Sequence, residues 1–207
     1  MLKILGRPTS INVRKVLWVL DEAGIAYDHE PQWATPGAST KTPEYLALNP
    51  NALVPVIIED DFVLWESNTI CRYLAARAGR EDLLPSGLRE RAEVEKWMDW
   101  ASTDINNAYR DAFMALIRKD PTYDDAGRVA ASAKRWNAAM GILDSLLEKR
   151  EHVAGETFTL ADIVMALSTH RWRSTPIEHA ALPAVDRWMA RLAQRPECAA
   201  YCAPEYP

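Results

Sequence analysis

The chain is poor in the features that mark several common kinds of protein. It holds three cysteines, Cys71, Cys198 and Cys202, an odd number split along 207 residues with no Cys-x-x-Cys pair. Neither a disulfide framework nor a zinc site is expected from them, so they read as free thiols and no metal is expected. No stretch approaches the roughly eighteen consecutive apolar residues of a membrane-spanning helix. Met1-Leu2-Lys3-Ile4-Leu5-Gly6 enters a strand-like pattern at once, without the charged and apolar regions of a signal peptide, so a cytoplasmic protein with no membrane partner is expected. Cationic blocks are missing too. Lysine and arginine never run beyond two in a row, and 24 basic against 29 acidic side chains give a net charge of -5, which argues against nucleic acid as the main partner.

Proline is scarce in one half only, and that asymmetry divides the chain. Six of the 13 prolines precede residue 56, whereas Pro121 alone interrupts residues 86 to 175. A length of 207 residues allows one large domain or two small ones. In the front part, Leu2-Lys3-Ile4-Leu5 alternates and stops at Gly6, as a short strand does. Val13, Val16, Leu17 and Leu20 then share a helical face, with Gly24 placed to end the helix. Ala26 to Glu30 is a weaker second strand, and Thr42-Pro43-Glu44-Tyr45-Leu46 opens a short helix. Val54-Pro55-Val56-Ile57-Ile58, the turn Glu59-Asp60-Asp61 and Phe62-Val63-Leu64 form a hairpin. Ile70, Tyr73, Leu74 and Ala78 face one way on a helix ending at Gly79. The order is βαβ followed by ββα, a thioredoxin-like arrangement.

The remainder reads as helices, so the predicted fold class is α/β followed by all-α. The expected domains are residues 1–81, thioredoxin-like, and residues 88–207, all-helical. Long helices are predicted over 88–119 and 123–149, and shorter ones over 159–173 and 182–195. Thr159 with Asp162 three residues on is a capping box, with Phe158 and Ile163 at the staple positions.

Four segments now carry a resemblance. Gly6-Arg7-Pro8-Thr9-Ser10-Ile11-Asn12-Val13, Leu53-Val54-Pro55-Val56, Trp65-Glu66-Ser67-Asn68 and Thr159-Leu160-Ala161-Asp162 occur in the order and approximate spacing of the cytosolic glutathione transferases. The likeness covers essentially the whole chain and is greatest to bacterial forms with a serine or asparagine in the first turn, related to the theta and beta classes. It implies an enzyme with glutathione as co-substrate, acting on small electrophiles in detoxifying conjugation, and a homodimer.

X-Pro is the one linkage for which a cis peptide is cheap, about 0.5–1 kcal/mol. Read alone, Pro55 is better explained by a trans proline opening an edge strand. The resemblance implies a cis bond that turns the Val54 backbone toward the cysteinyl main chain of glutathione, a one-residue strand addition. Glu66-Ser67 stands where a strand turns into a helix and could be a plain capping pair. The resemblance assigns Glu66 to the γ-glutamyl ammonium, and Ser67 with the first-turn amides to the α-carboxylate. Lys41 is the nearest cation for the glycyl carboxylate, or a solvated loop lysine.

A free cysteine thiol has a pKa of about 8.5, and lowering it by ~2 units stabilises the thiolate by roughly 2.7 kcal/mol. The amides, dipole and short donors at the helix start near Ile11 suit that task. Ser10 and then Asn12 are the candidate hydrogen-bond donors, with capping of the same helix as their other reading. Arg14 is an accessory charge or a surface residue. No cysteine precedes Cys71, which disfavours disulfide exchange through a cysteine at the start of the first helix, and no tyrosine precedes Tyr27, which excludes the tyrosine-dependent classes. Cys71 reads as core. Asn106, Arg110 and Phe113 at helical spacing, joined by Asn107 and Trp172, are expected to line the electrophile pocket, although an ordinary amphipathic helix shows the same recurrence. Trp97 and Trp100 are dimer-contact or core residues. Glutathione-dependent isomerisation or peroxide reduction, and a non-catalytic binding protein of the same fold, are the competing readings.

Overall fold

The computed structural model describes residues 1–204, and the chain divides into two compact units that meet in sequence at Pro85 and Ser86. In the first unit, β1 (Leu2–Leu5), α1 (Ile11–Glu22), β2 (Tyr27–Glu30), α2 (Pro43–Leu48), β3 (Val56–Glu59), β4 (Phe62–Trp65) and α3 (Ser67–Arg77) follow one another. The sheet order is β2-β1-β3-β4, with β1 parallel to β2 and antiparallel to β3, and β3 antiparallel to β4.

Why β1 is apolar almost throughout follows from the register. Leu5 pairs with Val56, and both pack with Tyr45 of α2 on one face. Ile4 pairs with Ile57, and strand alternation sends both to the opposite face, where each is fully buried. α1 packs along α3, and Val13, Val16, Trp18, Leu20, Ile70, Cys71 and Leu74 are fully buried. Gly24 and Gly79, each at φ 65°, end α1 and α3 as the sequence predicts. β3 begins two residues later than expected, at Val56, because Val54 and Pro55 belong to the preceding loop.

In the second unit, α4 (Leu88–Trp100) leads through a π-helical segment, Ala101–Ile105, into α5 (Asn106–Leu116). The single helix predicted over 88–119 is therefore interrupted and shorter. The Ser102 and Thr103 hydroxyls donate to the carbonyls of Met98 and Asp99, four residues back, at 3.2 and 3.0 Å, the bonding that loosens a helical ladder. Lys119 takes φ 54° and Pro121 follows, so α5 cannot run to 119. Pro121–Tyr123 is a 3-10 turn capped by Asp120, and α6 (Ala126–Leu147) starts after Asp125, whose side chain caps the Arg128 N–H at 2.8 Å.

α7 (Leu160–Ser174), α8 (Pro183–Leu192) and α9 (Pro196–Tyr201) complete the unit. α9 is absent from the sequence reading, although Pro196 at its first position and Glu197 in its first turn are ordinary start signals. The Thr159–Asp162 capping box is formed. Phe158 packs against His152 and beneath the Arg195 guanidinium, 3.9 Å from its ring centroid. Among the described residues no helix is long and apolar enough to cross a membrane.

Candidate active site

Three short segments of the first unit converge. The first is the turn from β1 into α1. Gly6 has φ 144°, and a Cβ there would lie 2.6 Å from Val13 Cγ2 and 2.9 Å from Val54 Cβ, so glycine alone allows the turn, α1 and the Val54 loop to approach. Ser10 is the N-cap of α1 by backbone geometry, with φ -83° and ψ 122°, but its hydroxyl makes no capping bond. Asn12 lies half-buried in the first turn. Arg14, read as an accessory charge or a surface residue, is fully buried, because α1 is enclosed from Val13 to Leu20.

The second segment is the loop from α2 to β3. Two donors converge on the Leu53 carbonyl, the Tyr45 hydroxyl and the Asn49 amide nitrogen, each at 2.8 Å. Burial raises the Tyr45 phenol well above its usual range, so it remains a donor. The Asn49 amide oxygen accepts from the Asn51 N–H at 3.0 Å and from the Asn51 side chain at 3.1 Å. The loop is thereby fixed from inside. The Val54–Pro55 peptide is cis, and the Val54 N–H and C=O have no backbone partner among the described residues.

The third segment joins β4 to α3. Sequence reading makes Ser67 the cap of this helix, but the cap is one residue earlier. The Glu66 carbonyl accepts from the Ile70 N–H at 2.9 Å, while Glu66 itself has φ 76° and ψ 104°, a conformation unfavourable to a residue with a side chain. Ser67 is the first helical residue, so its amide is one of the free N–H groups of the helix start. The Glu66 carboxylate has no hydrogen-bond or ion-pair partner among the described residues. Behind this turn, buried Lys15 donates to Asn68 at 3.4 Å, and burial pushes the Cys71 thiol up to about 12.

Asn12, Val54, Pro55, Glu66 and Ser67 thus border one small cavity of about 40 Å³, together with Asn49, Asn51 and Leu53. None of the last three is singled out as a site residue from the sequence, although Leu53 stands in one of the four motifs; two asparagines flanking a proline are the signal of a loop tied by its side chains. Ser10 and Lys41 are not among the lining residues. Lys41 is exposed in the loop before α2, its N–H bonded to the Ser39 hydroxyl at 3.1 Å. Chemically, the pocket offers an unpaired main-chain donor and acceptor, a carboxylate, a helix N-terminus and a carboxamide. These suit a peptide-like ligand with a zwitterionic end.

The helical candidates lie on α5 and α7 of the second unit. The Asn106 oxygen accepts from the Tyr109 hydroxyl at 2.5 Å, and Tyr109 accepts from Arg171 at 2.9 Å. Phe113 is buried, with the Arg171 guanidinium 4.1 Å from its ring centroid. Trp172 is buried and donates to Asn137 at 3.0 Å. Asn107 and Arg110 are exposed on α5. A separate open cavity of about 990 Å³ lies elsewhere in this unit, lined by the end of α5, α6 and residues 176–180. No group of three or more histidine, cysteine or acidic residues that could hold a metal occurs among the described residues.

Comparison with known proteins bears on both units. Residues 9–77 match the family described as Glutathione S-transferase, N-terminal domain, and residues 105–196 match Glutathione S-transferase, C-terminal domain. The chain is 37% identical over 198 residues to the glutathione S-transferase GstB of Escherichia coli K12, covering 95% of each protein. It is 35% identical to glutathione S-transferase 3 of Zea mays, covering 94% of this chain and 90% of that one. Among solved structures, the theta class glutathione S-transferase of Xanthomonas axonopodis pv. citri with glutathione bound superposes with a TM-score of 0.90 at 36% identity, covering 98% of this chain and 97% of that one.

Proposed function

This chain belongs to the glutathione S-transferase family, and from that premise we propose how it binds glutathione and conjugates the thiol to a small electrophile. The observation that carries the reading is the unpaired Val54 main chain bordering the same cavity as the partnerless Glu66 carboxylate and the start of α3. The cysteinyl backbone of glutathione pairs with Val54 in antiparallel fashion. Its γ-glutamyl ammonium goes to Glu66, and its α-carboxylate goes to the Ser67 hydroxyl and the first amides of α3. Pro55 closes that edge, and Lys41 serves the glycyl carboxylate.

The sulfur then points toward the start of α1, which makes this a serine/asparagine-type enzyme. Asn12 is the first donor to the thiolate because it borders the same cavity, and Ser10, whose hydroxyl makes no capping bond, is the second. Neither acts as a base. Each stabilises an anion, and the enzyme gains rate from a larger thiolate fraction and from proximity. Residues 1–81 form the glutathione-binding domain and 88–207 the helical domain that admits the electrophile. There, Asn107 and Arg110 offer exposed polar side chains, Asn106 is held by the Tyr109–Arg171 chain, and Phe113 and Trp172 back the surface from within. A cytoplasmic homodimer is the working form, with the edge-to-face Trp97–Trp100 pair of α4 at its contact.

The test is conjugation of a panel of halogenated, epoxide and activated-alkene substrates by wild type, Asn12→Ala and Ser10→Ala. Asn12→Ala is expected to lose about ten- to a hundredfold in kcat/KM and to raise the pKa of the bound thiol read from thiolate absorbance. Wild-type turnover by both folded variants would refute the assignment.

A further inference from the structure

The chemistry proposed for the first unit leaves Cys198 and Cys202 of α9 unused. They stand one helical turn apart on the same face. The Cys202 N–H donates to the Cys198 carbonyl at 2.9 Å, a register that places the two Cα atoms about 6 Å apart and within the span of a disulfide. Cys198 is 2% exposed, whereas Cys202 is half-buried at the C-cap, with φ -106° and ψ 29°. Cys202 is therefore the more accessible of the two.

We propose that Cys198 and Cys202 form a dithiol–disulfide pair oxidised by small soluble disulfides, with glutathione disulfide as the oxidant. The choice of oxidant rests on the reading of the chain as a glutathione enzyme, and the dithiol chemistry does not. Cys202, as its thiolate, attacks one sulfur of glutathione disulfide. The S–S bond breaks, one glutathione departs and takes up a proton, and Cys202 carries the other as a mixed disulfide. The Cys198 thiolate then attacks the Cys202 sulfur and expels the second glutathione, which also takes up a proton. Two cysteine thiols are oxidised and one glutathione disulfide is reduced to two glutathiones.

Accessibility sets that order, because Cys202 is half-buried while Cys198 is 2% exposed. The Cys202 side chain lowers the Cys198 pKa, burial opposes it, and the Arg195 guanidinium lowers it further. Once Cys202 is modified, Arg195 remains to favour the Cys198 thiolate, held over the Phe158 ring at 3.9 Å. Cys71, fully buried and pushed up to about 12, is the inert internal control.

The reduced full chain, incubated with glutathione disulfide or with hydroxyethyl disulfide, is followed by thiol titration, intact mass and peptide mapping. Wild type is expected to lose two thiols and the mass of two hydrogens, with Cys198 joined to Cys202 and no lasting adduct. Cys198→Ser should stop at a mixed disulfide on Cys202, and Cys202→Ser should keep both of its remaining thiols. All thiols retained with both probes, or a stable adduct on wild-type Cys202, overturns the proposal. Closure by hydroxyethyl disulfide alone overturns glutathione disulfide as the oxidant, and neither result bears on glutathione binding by the first unit.

Discussion

Two buried carboxylates of the helical unit, Asp162 and Asp144, find their partners inside the protein, whereas the Val54 main chain and the Glu66 carboxylate at the cavity of the first unit do not. Asp162, fully buried, accepts from the Val153 and Thr159 N–H groups, the Thr159 hydroxyl, the Trp188 indole and His152, at 3.0 to 3.2 Å. Asp144 caps α8 through the Ala184 and Val185 N–H groups at 2.8 and 2.9 Å. In the first unit, by contrast, the Val54 main chain and the Glu66 carboxylate are left over, and Glu66 sits at φ 76°. A partnerless carboxylate and main chain bordering one cavity are free to meet a ligand, and the fully partnered Asp162 belongs to the architecture.

The largest expected effect tests the second half of that contrast. Asp162→Ala strands the Val153 and Thr159 amides and the Trp188 indole, so denaturant unfolding should show a loss of about 3–5 kcal/mol or no folded protein. A loss below about 1 kcal/mol would break the comparison. Glu66→Ala tests the first half. Glutathione affinity by calorimetry should fall about ten- to a hundredfold, with the melting temperature unchanged. Glu66→Gly should bind as poorly yet gain up to about 1 kcal/mol of stability, because glycine accepts the backbone that Glu66 does not.

Cys71 sharpens where the line falls. The face of the first unit away from the cavity is as dry as the helical core, so burial pushes its thiol up to about 12. In the unfolded chain that thiol ionises near 8.5. A group harder to ionise when folded costs stability as pH rises, so wild type relative to Cys71→Ala should be pH-independent below about 8. Above that it should weaken by at most about 1.4 kcal/mol per pH unit up to about 12. A flat difference would show that Cys71 is wetter than its surroundings indicate. The smallest effect is Thr159→Ala, which removes one capping acceptor and should cost about 1 kcal/mol while the folded fraction keeps its kcat/KM.

Legibility in the sequence follows the same division. The sheet and the helices on it were readable because period-2 and period-3.6 patterns end at Gly24, Asp60-Asp61 and Gly79, where the backbone takes positive φ at Gly24, Asp60 and Gly79. The π-helical segment was not, because Met98, Ala101, Ile105 and Ala108 keep an apolar stripe through it and only the Ser102–Thr103 hydroxyls betray it. The capping box at Thr159 was visible, but the other partners of Asp162 lie far along the chain and no local pattern could supply them. Around the cavity, Val54, Glu66 and Ser67 are identified by motif. Asn49 was hidden because its role is to hold the Leu53 carbonyl, an interaction that a single turn residue does not announce.

The most direct measurement is the amide spectrum of nitrogen-15-labelled protein during glutathione titration. Saturable shifts at the Val54, Ser67 and Asn68 amides, with protection of the Val54 N–H from exchange, are the predicted result. Saturation with those three amides unmoved, and shifts confined to the helical unit, would contradict the account.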